Sequence, residues 1–417
     1  MPTVALLGTL DTKGAEYAYV RDRLRRAGVD LVVVDAGILG EPGLEADITR
    51  EAVAAAGGAD LAALVSAADR GEAVAAMAAG AEQVLKELAE TGRIQGALAL
   101  GGTGGTTIAS RAFRGLPLGM PKVVVSTAAS GDTQPYVGVS DLVLFPSVTD
   151  VAGVNRLSAR ILANAAAAVA GMVTAEPSPV PDDRPLLAAR MFGVTTPGVT
   201  AARALLEEKG YEVLVFHMTG IGGRTLEQLA ATGWLAGVLD ITTTELADEL
   251  VGGVFSAGSS RLTAAGLAGI PHVVSVGALD MVNFGPMDTV PTQYADRTLY
   301  VHNASVTLMR TTPEECAELG RRLATRLSSA TGPAAVFLPL RGVSAIAVEG
   351  GPFHDPEADL ALFDAIRSHL DRSRVELREL DLDVNDPAFA AAMADTLDTY
   401  VRQQQPARAV RAVGDQA

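Results

Sequence analysis

One succession of strand, polar turn, helix and strand is written twice in this chain of 417 residues, and it constrains the fold more than any other feature. In the first half the apolar run at residues 4–7 leads into the turn GTLDTKGAE at 8–16, an amphipathic stretch follows at 17–27, and a second apolar run covers 31–34. The second half repeats the order with residues 186–192, the turn GVTTPG at 193–198, a helix ending near Lys209 and a strand at 213–216. Two later pairs keep step: GALALGGTGGTT at 96–107 with GVLDITTTE at 237–245, and MPKVVVS at 120–126 with IPHVVSVG at 270–277. The expectation is an α/β chain of two Rossmann-like subdomains with mainly parallel sheets flanked by helices, related by an internal duplication.

Parallel strands in such units end at one edge of the sheet, and ligands bind in the crevice outside those ends. Nearly every dense cluster of Gly, Thr, Ser and Asp in this chain falls there. Length alone allows two or three domains, and the repeat favours two. A first nucleotide-binding domain at 1–175 and a second at 186–402 are expected, joined by the Pro-rich linker 176–185 and followed by a frayed tail at 403–417. Helices are expected over 48–57 and 71–91, and second-domain strands near Leu187, Val213, Val238, Val273, Leu299, Val336 and Val375.

With 48% hydrophobic and 20% charged residues the chain can bury a large interior. Its formal net charge of −16 opposes broad nucleic-acid or anionic-membrane binding. A small anionic ligand stays open, because the N–H groups at a helix start attract a phosphate locally. Cys316 is the one cysteine, so no intrachain disulfide or cysteine-built metal cluster forms, and a cytoplasmic location is expected. The thiol is either buried and inert in an amphipathic helix or, less simply, a nucleophile. No basic, apolar leader opens the sequence. The Ala-rich stretch 161–175 falls short of the ~20 residues a bilayer span needs and is expected to pack as a helix, with no membrane contact.

Gly101, Gly102, Thr103, Gly104, Gly105, Thr106 and Thr107 follow an apolar run and precede a helix start. Glycines let backbone N–H groups approach a phosphate without a Cβ in the way, and the helix start adds partial positive charge. The spacing is not that of a P-loop, and the same residues also suit a tight structural turn. Thr9, Asp11, Thr12 and Lys13 occupy the turn after the first strand, with Lys13 one of four lysines. The glycines there miss the dinucleotide fingerprint, yet Asp35 ends the second strand where a carboxylate meets ribose hydroxyls or merely caps a turn. Ser130, Gly131 and Asp132 end a further strand. Asp132 there either helps hold a hydrated Mg²⁺ beside phosphates or serves as a cap. Thr149 and Asp150 are weaker candidates of the same kind.

In the second half, Asp240, Thr243 and Thr244 replace the glycine-rich loop with carboxylate and hydroxyls, suiting a polar substrate or a metal. Arg224 and Arg261 each lie near a helix start, as a pocket for a carboxylate or phosphate or as solvated surface. Asp280 and Asn283 end another strand, and His217 stands at a strand end, where a general acid or base would. The sequence contains no zinc-ligand spacing.

Taken together and in order, GTLDTKGAE, GGTGGTT, STAASGD, DITTTELAD and GALDMVNFG resemble the Tm-one-like ATP-binding domain family over residues 3–402. The resemblance implies two Rossmann-like subdomains, ATP binding with Mg²⁺, and a homodimer. In plant members this region precedes a TIM barrel, so a separately encoded TIM-barrel protein is an expected partner. The expected function is nucleotide binding, with phosphates on the Gly and Thr loops and a polar anionic second ligand in the interdomain cleft. The alternatives are a catabolic enzyme that hydrolyses a keto acid or cleaves its carbon-carbon bond, with Asp240, Asp280 or His217 as catalytic groups, and a non-catalytic nucleotide-dependent sensor. Arg224, Thr243, Thr244, Arg261 and Asn283 are the expected substrate contacts.

Overall fold

The computed structural model describes residues 1–176 and 184–414, with side chains through 404. Most of the expected Pro-rich linker therefore lies outside the described residues. The chain divides between residues 180 and 181 into two units, each built on its own parallel sheet.

In the first unit five strands, β1 (Thr3–Gly8), β2 (Asp30–Asp35), β3 (Gly96–Gly101), β4 (Lys122–Ser126) and β5 (Val143–Pro146), pair in parallel in the order β2-β1-β3-β4-β5. The alternation of a strand sends Val4 and Leu6 to one face and Ala5 and Leu7 to the other. Both faces are covered. Helices Leu10–Arg26 and Arg156–Thr174 pack through Leu10, Tyr17, Val20, Leu162 and Val169 against Val4, Leu6 and Leu98. Helices Arg50–Ala56, Leu61–Ala67, Arg70–Glu90 and Thr103–Arg114 pack through Val53, Leu64, Met77, Leu85 and Phe113 against Ala5, Leu7 and Val124. Burial on both faces is why these strands read as continuous apolar runs.

Helix Arg156–Thr174 is longer than the stretch expected from sequence, and at 19 residues it is long and apolar enough to cross a membrane by length and composition. Its face of Leu162, Ala165, Ala166, Val169 and Ala170 is buried in the first unit's core.

The second unit carries β6 (Leu186–Met191), β7 (Glu212–His217), β8 (Gly237–Thr242), β9 (His272–Gly277), β10 (Met281–Phe284), β11 (Leu299–Asn303), β12 (Val306–Arg310), β13 (Ala334–Pro339) and β14 (Val375–Leu380). Six of these form a parallel sheet that reads β7-β6-β8-β9-β13-β14 from one edge. Its first five positions repeat the first unit's order, so the duplication seen in the motifs is also a duplication of topology. Helices Thr196–Glu208 and Pro387–Gly414 cover one face through Val199, Leu206, Phe389, Met393 and Leu397. Helices Pro313–Ser328 and Pro356–His369 cover the other through Cys316, Leu319, Leu323, Leu362 and Ile366. The last helix runs on past residue 402, where the second domain was expected to end.

One strand expected in the main sheet is elsewhere. Leu299–Asn303 pairs antiparallel with Val306–Arg310, which pairs in turn with Met281–Phe284, in a separate three-stranded sheet. Two residues separate β11 from β12, and a parallel pairing needs a crossover of a dozen or more.

Candidate functional site

The first unit's strand order has a switch point between β1 and β3: the chain leaves β1 for the helix on one face and β3 for the helix on the other. A cleft of about 570 Å³ opens there. Thr9, Asp11, Thr12 and Lys13 line it from the turn after β1, Ala36, Ile38 and Leu39 from the segment after β2, and Gly101, Gly102, Thr103, Gly104 and Gly105 from the turn after β3. Leu64, Val65, Val74 and Met77 form an apolar wall, and Arg70 and Asp150 complete the rim. The two turns singled out in the first half of the sequence thus meet in one place.

Helix Thr103–Arg114 starts at Gly102 with no side chain capping it. Its first N–H groups have no partner within the helix, and the residues that carry them line the cleft. Arg70 borders the same turn: a Cβ placed on Gly104 would stand 3.5 Å from its Nη2. Lys13 sits at a kink with φ −128° and ψ 20°, and its ammonium donates to the carbonyl of Val151, a neutral partner, with no ion pair among the described residues. Asp11 accepts from the Leu39 N–H at 2.6 Å through Oδ2, while its buried Oδ1 has no partner among the described residues. The hydroxyls of Thr9 and Thr12 bond one another at 3.0 Å.

Several first-unit candidates stand apart. Asp35 is 1% exposed, and its Oδ1 accepts from the N–H groups of Leu10 at 3.1 Å and Gly37 at 2.9 Å. It ties the β1 turn to the segment after β2 and is not among the groups that line the cleft. Burial pushes its carboxyl above the ordinary range, with the Gly37 and Leu10 N–H groups pulling the other way. Thr106 is buried with its hydroxyl on Ser126 at 2.7 Å, and exposed Thr107 donates to the Thr103 carbonyl at 2.9 Å. Ser130, Gly131 and Asp132 are exposed and do not line the cleft, and Asp132 accepts from Gln134 N at 3.1 Å in the turn role left open from sequence. Arg70 and the apolar wall were missed. The only local signal for Arg70 was the Ala-Asp-Arg-Gly break at 68–71, where Ala68 takes the left-handed conformation (φ 51°) and Asp69 caps the next helix.

The second unit differs at the corresponding corner. Asp240, expected as a catalytic group, is fully buried and accepts from Arg190, from Arg261 at 3.0 and 3.2 Å, and meets His272 Nε2 at 2.8 Å. Arg261, expected to bind substrate, is also fully buried and spends its donors on Asp240, on Glu245 at 2.8 Å and on the Thr242 carbonyl at 3.1 Å. Glu227 accepts from Arg190 at 2.7 Å. In such a buried cluster the charges are spent largely on one another, which ties together the strands and loops that carry them.

The other second-unit candidates follow the same pattern. Thr243 donates to the Ser275 carbonyl at 3.1 Å, and Thr244 accepts from the Asn283 amide at 3.2 Å. That amide also reaches Asp248 at 2.8 Å. All are buried. Asp280 is fully buried and receives the Ser344 hydroxyl at 2.8 Å on one oxygen, with no partner on the other among the described residues, and burial pushes its carboxyl up to about 6. Asp240, Asp280, Thr243, Thr244, Arg261 and Asn283, expected as catalytic groups or substrate contacts, are thus placed in the interior, with their hydrogen bonds made to other residues of the chain. His217 is exposed and its ring lies 5.6 Å from that of Phe192. Arg224 is half-buried and its side chain makes no hydrogen bond or ion pair among the described residues. The Cys316 thiol is buried and pushed up to about 11 by that burial, which suits the inert reading.

The model of an N-terminal domain described as uncharacterised protein family UPF0261 matches residues 2–178, and the model of that family's C-terminal domain matches residues 184–401. A UPF0261 protein of Clostridium tetani is 49% identical over 94% of this chain and 98% of its own length. One of Rhizobium meliloti is 48% identical over 94% and 97%. The tomato (Solanum lycopersicum) ToMV resistance protein Tm-1 is 45% identical over 78% of this chain, which corresponds to 44% of the tomato protein.

Proposed function

The chain belongs to the UPF0261 family in both of its domains, and on that premise we propose that its first unit is a nucleotide-binding domain that takes ATP with Mg²⁺. One observation carries this: the glycine-rich helix start at 101–105 and the Lys13 turn open into a single cleft whose far side is apolar. A nucleotide needs that combination. Its phosphates call for unpaired N–H groups and cations, supplied at Gly102 to Gly105 and by Lys13 and Arg70. Its base calls for a flat apolar surface, supplied by Ile38, Leu39, Val65 and Met77. A volume of about 570 Å³ suits a small ligand of this size.

Mg²⁺ is held beside phosphates by one or two carboxylates and water. Asp11, with its partnerless Oδ1, and Asp150 line the cleft and fit that need, whereas Asp132 does not line it. When bound, the ion would neutralise phosphate charge. The chain's own residues position the phosphates and shield the base from water.

Isothermal titration of the full chain with ATP, with and without Mg²⁺, tests the proposal. Heat that saturates and strengthens with Mg²⁺ is expected. Absence of heat in both titrations, with the protein shown to be folded, rejects it.

A further inference from the structure

The carboxylate of Glu245 is held like a bound ligand. Its Oε1 accepts from the N–H groups of Gly220 at 2.9 Å and Gly223 at 3.1 Å, and its Oε2 accepts from Arg261 Nε at 2.8 Å. Gly220 and Gly223 stand at the start of the 11-residue helix Ile221–Ala231, which no side chain caps from its own N-cap position. The pocket is shaped for this group: a Cβ on Gly223 would stand 2.1 Å from Glu245 Oε2. Both Glu245 and Arg261 are fully buried.

The place of this contact in the fold gives it meaning. Glu245 begins the helix after β8, as Thr103 begins the helix after β3. Gly220 and Gly223 follow β7, as Ile38 and Leu39 follow β2. Since β7-β6-β8 repeats the order β2-β1-β3, the Glu245 contact spans the corner of the second unit that corresponds to the one where the first unit's own cleft opens. Where the first unit has glycines and space, the second has a carboxylate, two buried arginines and their counter-ions.

We propose that the second unit carries a built receptor for a carboxylate group at its own switch point, that Glu245 fills it from within the chain, and that each chain therefore takes one nucleotide, in the first unit. The stoichiometry rests on the nucleotide reading above; the receptor does not. Burial pushes the Glu245 carboxyl up to about 8, against the pull of Arg190 and of the Gly220 N–H. The three contacts come from N–H donors, which suits an ionised carboxylate.

Glu245→Ala removes about the atoms of an acetate ion and leaves the receptor in place. In the full-length variant, about 0.1 M sodium acetate is expected to raise Tm by about 3 °C over sodium chloride of equal ionic strength, while the native chain shifts by under about 1 °C. Equal shifts in the two proteins overturn the receptor. If the variant folds only with acetate present, the receptor is supported; if it folds with neither salt, the receptor is overturned. Equilibrium dialysis of the native chain against ATP is expected to give one nucleotide per chain, and two overturn the stoichiometry. No bound ATP together with acetate rescue refutes the nucleotide reading and leaves the receptor standing.

Discussion

The hydroxyl of Tyr17 is bound to the backbone of Leu100 from both sides, accepting from its N–H at 2.9 Å and lying 2.8 Å from its carbonyl oxygen, and it also reaches the Leu7 carbonyl at 2.6 Å. The paired register of β1 and β3 ends at Leu7 and Ala99, so this phenol takes over where the ladder stops. It joins the two strands at the ends from which the cleft-lining turns leave. Gly8 must lack a side chain to admit it, since a Cβ there would stand 1.9 Å from the Tyr17 ring. Burial drives the phenol's pKa far above its ordinary value, so it stays neutral and able to donate.

Tyr17→Phe keeps the ring and removes the oxygen, leaving a buried N–H and carbonyl without partners. A loss of about 1–3 kcal/mol is expected, read as a lower urea midpoint with an unchanged slope. Because the two cleft-lining turns leave the strands that Tyr17 joins, weaker ATP binding is expected as well. Unchanged stability would mean that water replaces the hydroxyl.

Gly104→Glu separates binding from folding. The new carboxylate would sit in the first turn of helix Thr103–Arg114, where negative charge stabilises a helix by about 0.3–1 kcal/mol, and would lie beside Arg70. Nothing in the fold resists it: the nearest atom to a Cβ at this position is the Arg70 guanidinium, at 3.5 Å. Tm should hold or rise, while ATP affinity falls by at least about tenfold through repulsion of phosphate. Calorimetry on the same sample reads both. A variant that binds ATP as the native chain does would place the phosphates elsewhere.

The first unit's sheet was legible because its strands are buried on both faces and so appear as short apolar runs set off by Gly, Pro and Asp. Its cleft was legible in part. Glycine, threonine and lysine at strand ends mark where the backbone is exposed to a ligand, but the apolar wall comes from helices at 61–67 and 70–90 whose outward residues look like any helix face. The pairing within the second unit was not legible, for a different reason. Asp240, Arg261 and Glu245 are the residue types a substrate site uses, and nothing local reveals that Arg190 and His272 meet Asp240 from neighbouring strands. Mutual neutralisation of residues far apart in sequence is a tertiary property.

Asp280 makes stability depend on pH with a definite sign. Burial raises its carboxyl to about 6, with Arg310 and the Ser344 hydroxyl pulling the other way. Between about pH 4, where the unfolded carboxyl ionises, and pH 6 the native state holds a proton that the unfolded chain has released. The stabilisation is therefore fully present below about pH 4 and lost as pH rises through 6, a change of about 3 kcal/mol. Asp280→Asn cannot titrate and should lack this component. Urea unfolding from pH 4.5 to 7 measures it as the narrowing gap between native and variant stability. A constant gap would mean that Asp280 is ionised throughout.

Asp240 distinguishes a structural cluster from a catalytic one. It faces Arg190, Arg261 and His272 in full burial, so Asp240→Asn leaves two guanidinium groups short of a counter-charge where water does not reach. Breaking a buried pair from one side costs about 3–5 kcal/mol, and a large fall in the urea midpoint is expected. The first unit's cleft contains none of these residues. ATP affinity per folded molecule should accordingly stay within about twofold of the native value, as expected for sites that share no partners. Native stability together with lost turnover on any substrate would instead return Asp240 to a catalytic role, because a residue that merely neutralises arginines cannot be removed without weakening the fold.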